Sequence, residues 1–332
     1  MPALILTPIL FLYVLFSTQT VVACELDRTI VFAGLDWQSN AFHTAVARRI
    51  LEDGYACKTD VIPGSTIPLL QGVAQGDIDV VMEVWKDNVT EVWKRALSRN
   101  QVVEVGINFE DAVQGWFVPR YLVEGEGASA PQLRSVFDLP RYKKLFSDPE
   151  EPDKGRFYNC VAGWTCEVVN TAKLNAYKLY TDFTNFRPGT GAALAAAIAS
   201  ANIRRKPILA YYWGPTWILG KFDLVMLEEP PYDPNTFSML TTDPDPQRGT
   251  AYPIVPVVVG ANSKFAAAAQ QIVAFLESYK TDAELVSDVL AYMEDKSASA
   301  DEAAHWFLSN HYDVWSSWAP ADKINQVKAG LN

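Results

Sequence analysis

Short apolar runs alternate with amphipathic stretches along most of the chain. Residues 29–33 (TIVFA) form a continuous apolar run of strand length. AFHTAVARRILEDG follows, with Ser39 or Asn40 as cap; it repeats apolar residues at helical spacing and stops at Gly54. Residues 57–62 predict a second strand, 67–75 a short helix, and 79–84 (DVVMEV) a third strand leading into Trp85. A comparable series occupies the middle of the chain: GWFVP, then a charged, proline-rich stretch to Lys154, a helix over 166–179 and an alanine-rich helix over 194–201. Strands at 207–212 and 224–227 follow, and the proline-rich, acidic segment 228–249 reads as a crossing or surface loop. Residues 252–260 (YPIVPVVVG) predict a further strand, and the remainder reads as helical. The alternation predicts an α/β protein of two lobes without internal repeats.

The first 23 residues carry no charged side chain, and their apolar stretch 4–16 has the length of a signal-peptide core. Val21, Val22 and Ala23 before Cys24 fit cleavage after Ala23, which predicts export, although no Lys or Arg precedes the apolar core. Val-Val-Ala-Cys also resembles a lipobox, in which Cys24 would be acylated; the soluble exported form is preferred. No second long apolar segment follows, so the mature chain is expected to be soluble. Cleavage would leave Cys24, Cys57, Cys160 and Cys166, an even number that should pair in an oxidising compartment. A bridge between Cys160 and Cys166 would stiffen NCVAGWTCE, the loop that carries Trp164, and leave Cys24 and Cys57 as the second pair. Four buried free thiols are the alternative. A zinc site lacks both a CxxC pair and a nearby histidine.

Composition narrows the function. The chain has 332 residues, 49 % apolar and 20 % charged, enough for two domains of ordinary size. With 28 Lys+Arg against 39 Asp+Glu, a net charge of −11, and no basic tract, it is not expected to bind nucleic acid. Its ten tryptophans are the anomaly. Trp37 follows TIVFA, Trp85 follows DVVMEV, Trp213 follows PILAYY, and Trp164 lies in the cysteine loop. Ligands of open α/β sheets bind outside the carboxyl ends of strands. Electron-rich rings gathered there suit a cation that lacks N–H donors. Trp93, Trp306, Trp315 and Trp318 lie in helical stretches and read as packing residues, while Trp116 and Trp217 fit either role. Glu83, two residues before Trp85, shares its strand face and would offset a cation's charge; a buried structural carboxylate is the alternative.

Six segments carry a resemblance: GLDWQSNAFHTAVARRILEDGYACK, GDIDVVMEVWKDN, AVQGWFVP, NCVAGWTCE, AYYWGPTWILGK and DEAAHWFLSNHYDVWSSW. Together they resemble the substrate-binding proteins of glycine betaine/choline/trimethylamine N-oxide ABC transporters across nearly all of the mature chain. The combination of the GWxC loop with YYWxP is the more specific part. The resemblance implies a two-lobed periplasmic binding protein, type II-like, with the ligand in the inter-lobe cleft. Lobe 1 would take 24–115, lobe 2 116–228, and 229–332 would hold the crossover and the rest of lobe 1. Trp37 and Trp85 would come from the first lobe and Trp164 and Trp213 from the second, so the aromatic box is complete only on closure. The backbone N–H groups of Thr165 and Cys166, where a helix begins, would hold a carboxylate or N-oxide oxygen. Gln114 is a further candidate at the lobe junction. In glycine betaine-binding relatives a histidine shortly after the second-strand tryptophan helps hold the carboxylate. Here Lys86, Asp87, Asn88 and Val89 follow Trp85, which raises the prospects of trimethylamine N-oxide or a bulkier betaine. His43, His305 and His311 read as surface or packing residues.

The expected function is capture of a glycine betaine-like methylated amine in the periplasm and its delivery to an ABC permease, by a monomer without cofactor, metal or catalytic residues. Trimethylamine N-oxide or choline is the alternative ligand. Two other classes compete. A binder of an unrelated solute such as an amino acid would show Arg and Asp clamps, and a cysteine-dependent hydrolase would need a free thiol with a partner histidine. No GxSxG, HExxH or GxxxxGK[ST] motif occurs.

Overall fold

The computed structural model describes residues 24–86, 90–243 and 245–331. The expected leader, and Asp87, Asn88 and Val89 in the segment after Trp85, lie outside the described residues. The first elements are β1 (Ile30–Leu35), α1 (Gln38–Tyr55), β2 (Thr59–Gly64), α2 (Thr66–Gln75) and β3 (Val80–Val84). β1 runs parallel to β2 and to β3. Every residue of β3 is buried, as expected of a strand covered by helices on both faces.

Helix α3 (Thr90–Ser98) leads into β4 (Val102–Pro119), an 18-residue strand that belongs to both sheets. Its first part pairs antiparallel with β9 (Val255–Asn262), which in turn pairs with β3. At Val113 the partner changes: Val113–Phe117 pairs with β7 (Leu209–Gly214) and Phe117–Pro119 with β8 (Leu224–Met226). β5 (Gly155–Tyr158) and β6 (Phe183–Phe186) complete the second sheet in parallel with β7. The strand order is β2-β1-β3-β9-β4-β7-β5-β6.

Helices α4 (Arg120–Val123), α5 (Thr165–Ala176), α6 (Gly191–Ile203), α7 (Trp217–Lys221) and α8 (Pro234–Thr242) come between β4 and β9 in the chain. After β9 come α9 (Ser263–Ala268), α10 (Gln270–Ser278), α11 (Ala283–Lys296), α12 (Ala300–Asn310), α13 (Tyr312–Trp315) and α14 (Ala321–Gly330). α12 and α14 pack on α1, while α11 reaches across to α7. The two lobes therefore share the strand β4, the return into β9 and helix contacts, α7–α11 and α3–α8. α5 is fixed from behind by a fully buried ion pair, Lys173 Nζ to Glu229 Oε1 at 2.7 Å, with Lys173 also lying over the Tyr252 ring.

The disulfides Cys24–Cys57 and Cys160–Cys166 are both formed. The first ties the start of the described chain to the segment before β2, and the second closes the loop onto the first turn of α5. Trp93 and Trp315 are buried, and Trp306 stacks on Tyr292 with centroids 4.5 Å apart. Trp116 is buried with its Nε1 on Asn170 Oδ1 at 2.8 Å. None of the helices among the described residues is long and apolar enough to cross a membrane.

Four expectations need correction. α1 starts at Gln38, with Trp37 at the N-cap position, so Ser39 and Asn40 lie inside the first turn and cap nothing. Asn40 Oδ1 instead accepts from Leu35 N at 2.9 Å, closing the strand-to-helix turn. The expected loop over 228–249 contains α8, because Asp233 accepts from Thr236 N at 2.7 Å and Pro234 begins the helix. Trp213 is not beyond its strand but within β7. Trp318 lies past α13 rather than in a helix, although it is buried as a packing residue should be.

Candidate functional site

The ends of β1 and β3, the start of α5, and the facing strands β4 and β7 meet at one small cavity of about 50 Å³. Trp37, Trp85, Trp164, Trp213, Glu83, Gln114, Thr165 and Cys166 all line it. So do Thr66, Leu70, Val84 and Tyr211, which sequence reasoning missed.

Local chain geometry explains how four indoles converge. Trp37 and Trp164 occupy equivalent places, the extended residue immediately before a helix, where a side chain projects from the helix mouth. Neither caps its helix by a side-chain hydrogen bond. Trp85 follows the buried strand β3 directly. Trp213 and Tyr211 are two apart in β7 and share its face, with ring centroids 6.2 Å apart. The Trp164 ring meets Trp37 edge-on at 5.5 Å and Trp213 at 5.2 Å, so rings from the two lobes form one continuous wall. Gly163 permits the approach: it turns the cysteine loop at φ +95°, and a Cβ there would press on Ser65 of the first lobe at 3.2 Å.

Two carboxylates organise the indole edges. Glu83 is buried, and its Oε2 accepts from Trp37 Nε1 at 2.8 Å and Trp85 Nε1 at 3.1 Å. Burial raises the Glu83 pKa above the usual carboxylate value, against hydrogen bonds from Trp37, Ser39 and Trp85 that lower it. Asp36, on the first lobe, accepts from Trp164 Nε1 on the second at 2.5 Å. His43, on α1, is fully buried with Nδ1 2.8 Å from the Tyr279 hydroxyl, and burial lowers its pKa to about 3. It is a packing residue, as its sequence context allowed, but it packs against the site: its Nε2 lies 3.8 Å from Glu83 Oε1.

Polar groups of the opposite character gather at α5. The first N–H groups of a helix have no carbonyl partner within it and carry the positive end of its dipole. At that end Thr165 Oγ1 is buried and makes no hydrogen bond among the described residues. Gln114 lies opposite Trp213 in the β4–β7 ladder, and its Oε1 accepts from the Tyr211 hydroxyl at 2.7 Å. Burial raises the Tyr211 pKa well above the ordinary phenol value, so it stays a donor. The cavity thus offers aromatic faces over a buried carboxylate on one side and a helix N-terminus with a spare hydroxyl on the other. Such a site fits a small solute with a cationic end and an acceptor end. Among the described residues no cluster of His, Cys, Asp or Glu is arranged to hold a metal ion.

Residues 28–310 match the family model described as the substrate binding domain of an ABC-type glycine betaine transport system. Among characterised proteins, the chain is 27% identical over 201 residues to the glycine betaine/proline betaine-binding periplasmic protein of Salmonella typhimurium. That alignment covers 57% of this chain and 57% of the relative, so the chain spans little more than half the length of the curated relative it matches. Two solved structures share its two-lobed fold. The glycine betaine/L-proline-binding protein of an ABC transporter from Borrelia burgdorferi superposes with a TM-score of 0.72 at 17% identity, over 90% of this chain and 100% of that one. A choline-binding protein of an ABC transporter, in complex with choline, gives 0.72 at 16% identity, over 92% and 98%.

Proposed function

The chain belongs to the family of substrate-binding domains of ABC-type glycine betaine transport systems, and from that premise we propose that it captures a quaternary ammonium or related methylated amine solute outside the cytoplasm and delivers it to an ABC permease. The family is one of transport-system binding proteins, not of enzymes. The observation that carries the reading is the convergence of Trp37, Trp85, Trp164 and Trp213 on one cavity beside a buried carboxylate. A trimethylated nitrogen has no N–H to donate, and only ring faces and fixed charge can hold it. Each desolvated cation–π contact is worth about 2 kcal/mol. Four of them total about 8 kcal/mol, the size of a micromolar complex, and contacts to the acceptor end of the solute would offset the cost of ordering and closure.

The acceptor end of the solute would lie at the N-terminus of α5, on the backbone N–H groups of Thr165 and Cys166, with Gln114 at the junction. The unpartnered Thr165 hydroxyl favours a solute whose far end is a carboxylate or N-oxide oxygen, so a betaine is the preferred ligand and choline the lesser one. Lobe 1 would comprise 24–115 with part of 229–332, and lobe 2 116–228. Cys24 is committed to a disulfide, which leaves no thiol to acylate and supports a soluble form over a lipoprotein.

A calorimetric screen of the mature protein against glycine betaine, proline betaine, choline and trimethylamine N-oxide tests this. At least one should bind in the micromolar range. Replacing any of Trp37, Trp85, Trp164 or Trp213 by Ala should then weaken it about thirtyfold, the equivalent of ~2 kcal/mol, with smaller losses for Phe. Trp306→Ala, which unstacks Tyr292 away from the cavity, should leave affinity unchanged. No binding of any of the four solutes would reject the reading.

A further inference from the structure

Glu83 takes the indole N–H groups of two box tryptophans onto one oxygen. Oε2 receives Trp37 Nε1 from the mouth of α1 and Trp85 Nε1 from two residues further along its own chain segment, and the Ser39 hydroxyl bonds to the same carboxyl group. An indole N–H lies in the ring plane, so a bond at that edge aims the ring and leaves its face to the cavity. The donors also polarise toward the carboxylate, which makes both rings richer in electrons. Oε1 accepts no hydrogen bond among the described residues and faces His43 Nε2, which has no hydrogen-bond partner either.

Among the described residues, the groups around this carboxylate supply no positive charge. The titratable ones are His43 from α1 and Tyr279 from the end of α10. Burial keeps His43 neutral and Tyr279 protonated at physiological pH. His43 Nδ1 and the Tyr279 hydroxyl share a hydrogen bond of 2.8 Å, and His43 Nε2 lies 3.8 Å from Glu83 Oε1. β4 contributes the apolar Phe109, packed on both His43 and Trp85. The next carboxylate, Asp36, is engaged by Trp164 instead.

We propose that Glu83 is a positioning residue that acts through Trp37 and Trp85: it aims both rings, and its uncompensated charge makes the cavity select a cation over a neutral molecule of the same shape. The inference rests on the functional reading above and deepens it. In a water-excluded site a fixed charge acts more strongly than in solvent, so loss of this charge should be felt in selectivity more than in shape recognition.

The test compares choline with 3,3-dimethyl-1-butanol, its isostere with carbon in place of nitrogen, by tryptophan fluorescence titration of the mature protein. Wild type should prefer choline at least a hundredfold. Glu83→Gln keeps an acceptor for the indoles but no charge, and should narrow that preference tenfold or more at pH 7.5. Choline affinity of wild type should rise with pH as Glu83 ionises and then level off, while affinity for the butanol stays flat. In ligand-free wild type the indole N–H resonances of Trp37 and Trp85 should move together with pH, and in Glu83→Gln neither should. An unchanged preference in a folded Glu83→Gln protein overturns the proposal and leaves the functional reading intact. Wild type that binds none of the methylated amines overturns the functional reading. If Glu83→Gln does not fold, a wild-type preference that is constant from pH 4.5 to 8, or indole resonances that shift independently, overturns the proposal.

Discussion

His43 and Glu83 face each other beneath the cavity and have opposite effects on stability as pH changes. His43 titrates at about 3 in the fold against about 6.5 in an unfolded chain, so between these values the unfolded state binds more protons. Its contribution is complete above about 6.5 and is lost as pH falls toward 3. Glu83 has a raised pKa in the fold, so it holds a proton that the unfolded chain has released, and its contribution is lost as pH rises from about 4.5 through its folded value. Asp148, which Arg156 holds well below the usual carboxylate range, adds an acid loss that begins only below about 4. The window from 6.5 to 4.5 therefore isolates His43 from Asp148. In urea denaturation across that window, His43→Gln should flatten the fall of stability toward acid, whatever its absolute cost. An unchanged slope would mean that His43 accepts a proton readily in the fold.

Elements divide the work between holding the fold and shaping the site, and the two disulfides show it. The bond between Cys160 and Cys166 spans 6 positions and the bond between Cys24 and Cys57 spans 33. Loop entropy assigns the short bridge about 2 kcal/mol of global stability and the long one about 4. Cys160→Ser with Cys166→Ser should therefore cost less stability than the Cys24/Cys57 double variant, but weaken solute binding tenfold or more, because it frees Trp164 and the first turn of α5. The Cys24/Cys57 variant should leave affinity unchanged in the folded protein. Equal effects of the two on affinity would count against a local role for the loop. The sequence revealed much at this scale: the series β1-α1-β2-α2-β3, the cysteine pairs and the places of Trp37, Trp85 and Trp164 follow from period, parity and spacing, while Trp213 lies within its strand. It did not reveal that β4 serves two sheets, since a change of partner along one strand is a property of the assembled sheets. It also hid α8, whose Asp-Pro start reads equally as a turn, and the bonds from Asp36 to Trp164 and from His43 toward Glu83, which join residues far apart in the chain.

At the scale of the whole molecule, the candidate cavity is lined from both sheets. Asp36 and Trp37 of the first lobe meet Trp164 of the second through a 2.5 Å hydrogen bond and an edge-on ring contact. Gly163 lies against Ser65 across the same seam. Elements that cross between the lobes include β4, the return into β9 and the α7–α11 and α3–α8 contacts. Separation of the lobes would break the seam contacts and pull Trp164 and Trp213 from Trp37 and Trp85, so a solute held by all four rings binds the closed form alone. Mass action then stabilises that form by about 2.7 kcal/mol at a hundredfold excess over Kd. Saturation with the best solute from the screen should lower the radius of gyration in solution scattering and raise Tm. Asp36→Ala removes the acceptor of the Trp164 indole without touching a ring; it should widen the ligand-free particle and weaken binding, while the saturated particle regains the wild-type radius. An unchanged radius of gyration in wild type with binding demonstrated independently would mean that the tryptophan box is preformed, and Asp36 would then have no closure to favour.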